Sequence, residues 1–340
     1  MIKNLIIFLK NLKELHLIQV LIKQLNGTKM KKNKTILICG ATGFIGRNLI
    51  DFFQNKNFKI VAVYNQKKPF FKKYKNITWV KSDLRKYKDC IEVTKNIDIV
   101  IQAAATTSGS KDILNSPYLH VTDNAVMNSY LLKACYVNKI NHFIFTSCTV
   151  MYPNSKKHLK ETEFNYDKIF PSYYGVANTK LYIEKMCKFY SSISDIKFSI
   201  VRHSNIYGPY DKFDTEKSHF IGSSISKVFS DKKIININGL GNEKRDYLYV
   251  DDLMNFIFKS LKQKTKFEIT NCGTGKSYRI KDVLKLIISI SKLNKNVHYN
   301  KKFKNINVNI LINIKKAKKI YNWKPKYTLR EGLVKTINWY

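Results

Sequence analysis

The chain is short of acidic side chains. Across 340 residues, 24 Asp+Glu stand against 61 Lys+Arg, a formal charge of +37. Such a balance raises nucleic acid or an acidic membrane as partners. Yet no single basic block accompanies it, because the lysines are interleaved with asparagine and isoleucine along the whole length. The expectation is a lysine-rich solvated surface with no nucleic-acid partner, able to attract a doubly charged small molecule. Cys-x-x-Cys pairs are missing too: the six cysteines fall at 39, 90, 135, 148, 187 and 272. This excludes a disulfide framework and a zinc site, and suits a reducing cytoplasm. The first 29 residues lack any long apolar run. Leu5, Phe8, Leu12, Leu15, Ile22 and Leu25 mark one face of an amphipathic helix, but lysines interrupt it and its longest apolar run is Leu5 to Leu9. That is too short to span a bilayer, and no small-residue cleavage site follows. Residues 1–29 are expected to be an upstream extension, with contact to a membrane surface as the alternative.

What is present begins at Thr35. Thr35 to Cys39 is a β-branched apolar run that reads as a buried strand, and Gly40, Gly43 and Gly46 follow at three-residue spacing. Helical periodicity then starts at Arg47. A strand turning through glycines into a helix N-terminus is a dinucleotide cradle: glycine lets the backbone approach the pyrophosphate, and free helix N–H groups hold it. Further strands are expected at Lys59–Tyr64, Ile77–Asp83, Ile97–Gln102 and Phe143–Cys148, with helical stretches between most of them. This is a βαβ series.

At the end of the second strand a carboxylate would grip the ribose 2′-hydroxyl of NAD, whereas a basic residue suits the phosphate of NADP. Nothing acidic occurs between Asp51 and Asp83, and the turn reads Asn65-Gln-Lys-Lys68. NADP(H) is therefore favoured, with NAD(H) as the alternative. Ala103-Ala-Ala-Thr-Thr-Ser-Gly109 follows the fourth strand with small residues that let backbone lie close to a ligand. The fifth strand delivers polar side chains at its C-terminal end, which faces the ligand crevice in open α/β sheets.

Motifs in order then carry a resemblance. GATGFIG at 40–46, Ser82-Asp-Leu-Arg85, Tyr174 to Lys180, Arg202-His-Ser-Asn-Ile-Tyr-Gly-Pro209, Tyr249-Val-Asp-Asp252 and Asn322-Trp-Lys-Pro resemble the extended short-chain dehydrogenases/reductases. Asn205 to Asp214 with Ser218-His219 resembles the GDP-L-fucose synthase-like enzymes within them. The resemblance implies a Rossmann-like, doubly wound parallel sheet with a smaller α/β substrate-binding domain. Residues 30–204 would form the NAD(P)-binding domain, and 205–340 mainly the substrate domain, with some segments returning to the first.

It also implies hydride transfer between a nicotinamide and a nucleotide-diphosphate sugar, a tyrosine exchanging the alcohol proton beside a lysine, and a homodimer built on helices around 125–136 and 178–190. Cofactor contacts would come from Gly40, Thr42, Gly43, Phe44, Ile45, Gly46, Asn65, Lys67, Asp83, Leu84, Ala103, Ala104 and Lys180. Catalytic groups would be Tyr174 and Lys180, His219, and one of Ser147, Cys148 and Thr149. Substrate contacts would be Asn205, Lys227 and Arg245.

Two departures stand out. Cys148 occupies the family's hydroxyl position, and Val150 stands where an epimerising cysteine is expected, so 3,5-epimerisation is expected to be weak or absent. The residue four before Lys180 is Val176, and the nearest tyrosines are Tyr173 and Tyr174. Tyr174 is favoured, on the expectation that a late helix start or a bulge absorbs two extra residues. The resulting reading is a nucleotide 4-keto-6-deoxy sugar reductase or reductase/epimerase. A UDP-sugar 4-epimerase and a non-enzymatic cofactor-sensing protein are the alternatives; retained cofactor would mark the first and salt-dependent nucleic-acid binding without turnover the second.

Overall fold

The computed structural model of the protein describes residues 33–67, 69, 76–107, 116–215, 218–300 and 309–340. The helix expected in residues 1–29, Lys68, and Ser108 with Gly109 lie outside the described residues. Strands β1 (Thr35–Cys39), β2 (Lys59–Tyr64), β3 (Ile77–Lys81), β4 (Ile99–Gln102) and β5 (His142–Cys148) grow from the expected β-branched and aromatic runs, and β6 (Lys197–His203), not among those expected, follows. The shorter strands β7 (Asn205–Tyr207), β8 (Ile234–Asn238), β9 (Lys244–Arg245) and β10 (Tyr247–Tyr249) follow. The series ends with β11 (Phe267–Cys272), β12 (Tyr278–Arg279) and β13 (Asn296–Asn300).

Seven of these form one sheet in the order β11-β6-β5-β4-β1-β2-β3. Every pairing in it is parallel. The order reverses between β1 and β4, which opens a crevice at their carboxyl ends.

Side chains alternate across this sheet with a period of two. Ile36 and Ile38 share one core with Ile60, Ile99, Ile101, Ile144 and Val201. Helices α1 (Phe44–Phe53), α6 (Val250–Ser260) and α7 (Ile280–Ser291) pack on that face through Leu49 and Phe53, Phe256, and Leu284. Leu37 and Cys39 point the other way, into a second core with Val100, Phe143, Phe145, Phe198 and Ile200. There α2 (Tyr87–Val93), α3 (Thr122–Val137) and α4 (Tyr174–Ser192) supply Cys90, Leu131 and Ile183. Among the described residues, no helix is long and apolar enough to cross a membrane.

Residues beyond 204 stay within the same compact unit as β1 to β6. They form the small pairs β7–β10, β8–β13 and β9–β12 together with α5 (Phe220–Phe229), α8 (Lys315–Tyr321) and α9 (Leu329–Trp339), while β11 extends the main sheet. The two late motifs meet through Asp252. Its carboxylate accepts the Lys326 and Tyr327 N–H groups at 2.8 and 3.1 Å, and its carbonyl accepts the buried Trp323 indole at 3.1 Å.

Strands β5 and β6 and helix α4 are joined by a buried ion pair, Arg202 Nη2 to Glu184 Oε2 at 2.6 Å. Ser147 donates to Glu184 Oε1 at 2.6 Å, and Arg202 Nη1 reaches the Tyr152 hydroxyl at 3.0 Å and the Glu161 carbonyl at 2.7 Å. Removing one partner strands a buried charge, which costs about 3 to 5 kcal/mol. Arg202→Leu is therefore expected to lower unfolding stability by about 3 kcal/mol in urea titrations. The double variant Glu184→Leu/Arg202→Leu is expected to lose less than Arg202→Leu alone. Equal stability of Arg202→Leu and the parent protein would contradict this account.

Candidate active site

The glycine loop after β1 is built by close approach. Gly40 has φ +73°, and a Cβ there would lie 2.7 Å from the Ala104 Cα. A Cβ on Gly46 would lie 2.0 Å from the Gly40 carbonyl oxygen. Loop, β4 turn and helix α1 can meet only without side chains at these positions. Gly43 caps α1 with no side-chain hydrogen bond, and the first turn carries no acid. Its N–H groups and positive dipole end are left for an anion.

A cleft of about 690 Å³ runs from this loop across the carboxyl ends of the strands. Gly40, Thr42, Gly43, Phe44 and Ile45 line it, followed by Asn65 and Lys67 after β2, Asp83 and Leu84 after β3, and Ala103 and Ala104 after β4. Hydrogen bonds from Arg85 hold the Asp83 carboxyl below its usual range. Bare backbone, small side chains and an uncapped helix end fit a dinucleotide. Of the expected contacts, Gly46 alone lies outside the lining, since it is packed under the loop.

The far end of the cleft gathers groups that handle protons. Thr146 and Cys148 of β5, Val150, Tyr173, Val176 and Lys180 of the α4 region, His203 at the end of β6, Asp211, Lys212 and His219 all line it. Lys180 Nζ donates to the Thr146 carbonyl at 2.9 Å and lies 4.6 Å from the centre of the Phe145 ring. Burial lowers the Lys180 pKa and raises that of the Cys148 thiol. The His219 pKa is lowered by desolvation and then by the Lys212 ammonium. Asp211 is driven up to about 7 by burial, so its carboxyl is half protonated near neutrality.

Several expected residues stand elsewhere. Ser147 faces the Glu184–Arg202 pair and Thr149 is buried, both outside the cleft lining; the strand pleat sends only Thr146 and Cys148 into it. Tyr174 is 60% exposed and also lies outside the lining. The helix starts at Tyr174 with regular spacing: the Asn178 side chain donates to the Tyr174 carbonyl and Thr179 to the Gly175 carbonyl, each at 2.9 Å. No bulge shifts the register, so Tyr173, Val176 and Lys180 share the cleft-facing side. Asn205, which donates to the Asp246 carbonyl at 3.0 Å, Lys227 in the last turn of α5, and Arg245 on β9 are likewise outside the lining.

His203 was not singled out from the sequence. Its signal lies in the strand pairing, which the sequence does not display: it ends β6 as Cys148 ends β5, and the two are paired in register.

Of the six cysteines, Cys148 alone is not buried. Its raised pKa keeps it a thiol at neutral pH, and the thiolate is the reactive form. Alkylation of Cys148 by iodoacetamide, followed by peptide mass mapping, is expected to be slow at pH 7 and to accelerate only above the ordinary thiol range. Rapid labelling at pH 7 would contradict this.

The NAD dependent epimerase/dehydratase family matches residues 36–273, from β1 through β11. GDP-L-colitose synthase of Yersinia pseudotuberculosis is 25% identical over 312 residues, covering 90% of this chain and 97% of its own. UDP-glucuronate 4-epimerase of Thermodesulfobacterium geofontis is 27% identical over 319 residues, covering 89% and 95%. Among solved structures, a variant UDP-glucuronic acid 4-epimerase of Bacillus cereus in complex with UDP-4-deoxy-4-fluoro-glucuronic acid and NAD has the same fold. Its TM-score is 0.77 at 23% identity, covering 90% of this chain and 98% of that one. With the glycine cradle, the parallel sheet and the cleft all inside the matched stretch, the chain is an enzyme that belongs to the NAD dependent epimerase/dehydratase family.

Proposed function

We propose that this enzyme reduces a nucleotide-diphosphate 4-keto-6-deoxy sugar at carbon 4. The observation that carries the reading is the single continuous cleft, which joins a dinucleotide cradle to a cluster of Cys148, Lys180, His203 and His219. A GDP-sugar synthase matching nine-tenths of the chain supports a nucleotide-diphosphate sugar as substrate. A bound nicotinamide supplies the hydride. The remaining work falls to the chain. The lysine-rich surface draws in the diphosphate by long-range attraction. The Lys180 ammonium, held by the Thr146 carbonyl, adds positive charge where oxygen charge develops on the sugar. The Cys148 thiol, a weaker donor than a hydroxyl, faces the same space.

Val150 also lines the cleft and cannot move protons, so exchange at sugar carbons 3 and 5 is weak or absent in this reading. Within it NADP(H) is preferred, because Asn65 and Lys67 flank the cleft where a carboxylate would select NAD. A homodimer through α3 and α4 is part of the reading, supported by exposed Tyr130, Tyr136 and Val137 on one helix and Tyr182 and Phe189 on the other. The second reading is a 4-epimerase that keeps its cofactor bound. The UDP-glucuronate 4-epimerase relative and the NAD-bound structural neighbour favour it.

The test is oxidation of NADPH against a panel of nucleotide 4-keto-6-deoxy sugars, run in deuterated water. The expected result is turnover without enzyme-dependent deuterium uptake at carbons 3 and 5; rapid uptake at both would contradict it. Turnover of a UDP-sugar without added cofactor would favour the epimerase. NADPH is expected to bind about tenfold more tightly than NADH, the scale of one charge-assisted contact. Asn65→Asp should narrow or reverse that ratio in fluorescence titrations, and an equal or tighter parent affinity for NADH would contradict the preference.

A further inference from the structure

We propose that His203, through Nε2, is the group that exchanges the sugar hydroxyl proton in this cleft, in place of a tyrosine. The inference rests on the reading of the protein as a nucleotide-sugar oxidoreductase. Its starting point is that Val176, and not a tyrosine, occupies the cleft-facing position one helical turn before Lys180. Val176 lies four residues before Lys180 on the cleft-facing side and carries no proton. Tyr174 is exposed outside the cleft. Tyr173 lines the cleft, but it precedes α4 and stands nearly two helical turns before Lys180 in the sequence.

His203 comes from the end of β6. In the β5–β6 register it pairs with Cys148, and Thr146, whose carbonyl holds Lys180, lies one pleat back on the same strand. Both Cys148 and His203 line the cleft. The titratable groups that share this end of it are Cys148, Lys180, Asp211, Lys212, Tyr173 and His219.

The tautomer follows from one contact. His203 Nδ1 lies 2.8 Å from the Ser204 carbonyl oxygen. A carbonyl can only accept, so the proton sits on Nδ1 and the Nε2 lone pair is free to act as a base. Among the described residues, Nε2 has no hydrogen-bond partner. Burial, with Lys180 and His219 nearby, lowers the His203 pKa to about 4, so the ring is neutral at pH 7.

In the oxidative direction the hydroxyl O–H bond breaks and its proton passes to Nε2. A bound nicotinamide would take the hydride from the same carbon as the C=O bond forms. In the reductive direction Nε2 first takes up a proton from solvent water, and the imidazolium so formed passes it to the carbonyl oxygen as hydride arrives at carbon. The Ser204 carbonyl holds the ring in one orientation through both steps and stabilises the cation.

The test compares His203→Gln, Tyr173→Phe and Tyr174→Phe in the full chain. His203→Gln is expected to lower kcat by about 100-fold or more, the usual worth of a general acid–base group. Its dissociation constant for NADPH should stay within about twofold of the parent value. Each phenylalanine variant is expected to lose less than about tenfold. A second readout needs no substrate: long-range ¹H–¹⁵N spectra of the imidazoles at pH 7, assigned by loss of a signal in His203→Gln, should give the Nδ1-protonated tautomer.

Full turnover in His203→Gln while the parent is active would overturn this inference alone. So would an Nε2-protonated ring, or a loss in Tyr173→Phe as large as that in His203→Gln. A parent inactive on every nucleotide sugar tried would overturn the functional reading and the inference with it.

Discussion

Glu184 and Arg202 meet at 2.6 Å with side chains only 3% and 1% exposed, and the reactive end of the cleft is arranged around that pair. Two charges taken out of water are costly, and attraction between them offsets the cost only where hydrogen bonds complete the shell. Here they do. Ser147 and Tyr152 join from β5 and the loop after it, the Glu161 carbonyl adds another acceptor, and the Tyr152 hydroxyl passes on to Asn271 at 2.7 Å. The network crosses β5, β6, β11 and α4, so these four elements cannot slide independently.

Three members of the network stand beside residues of the cleft. Ser147 precedes Cys148, Arg202 precedes His203, and Glu184 lies one helical turn after Lys180. Alternation along a strand turns neighbouring side chains to opposite sides, while four residues along a helix return to nearly the same side. The ion pair thus sets the spacing of thiol, imidazole and ammonium without entering the cleft. Burial then decides their protonation, lowering Lys180 and His203 and raising Cys148. All three shifts disfavour charge, so the His203 ring and the Cys148 thiol rest neutral, while the Thr146 carbonyl holds the Lys180 ammonium in place.

Local features were legible in the sequence. The run Thr35–Cys39 and the run Lys59–Tyr64 have the bounds of β1 and β2, because β-branched residues between turn signals leave little freedom. The cradle was legible for the same reason: its glycines are needed by contacts within a few residues, apart from Ala104. What depended on side-chain direction was not. The choice among Ser147, Cys148 and Thr149 is a choice of strand face, and only the packing of α4 on the sheet decides it. The expectation of a bulge at the start of α4 came from aligning Tyr174 with a motif. The structure instead begins a regular helix at Tyr174, which turns that phenol outward and leaves Val176 facing the cleft. His203 went unnoticed because the signal that mattered, the end of a strand beside Cys148, requires the β5–β6 pairing.

One measurement bears on the central claim that nicotinamide and sugar meet in this cleft. NADPH deuterated at nicotinamide carbon 4, separately on each face, would be incubated with the enzyme and a nucleotide 4-keto-6-deoxy sugar, and the product analysed by mass spectrometry and NMR. The account predicts deuterium at sugar carbon 4, delivered from one face of the nicotinamide only. Product formed without label at carbon 4 from either cofactor would contradict it.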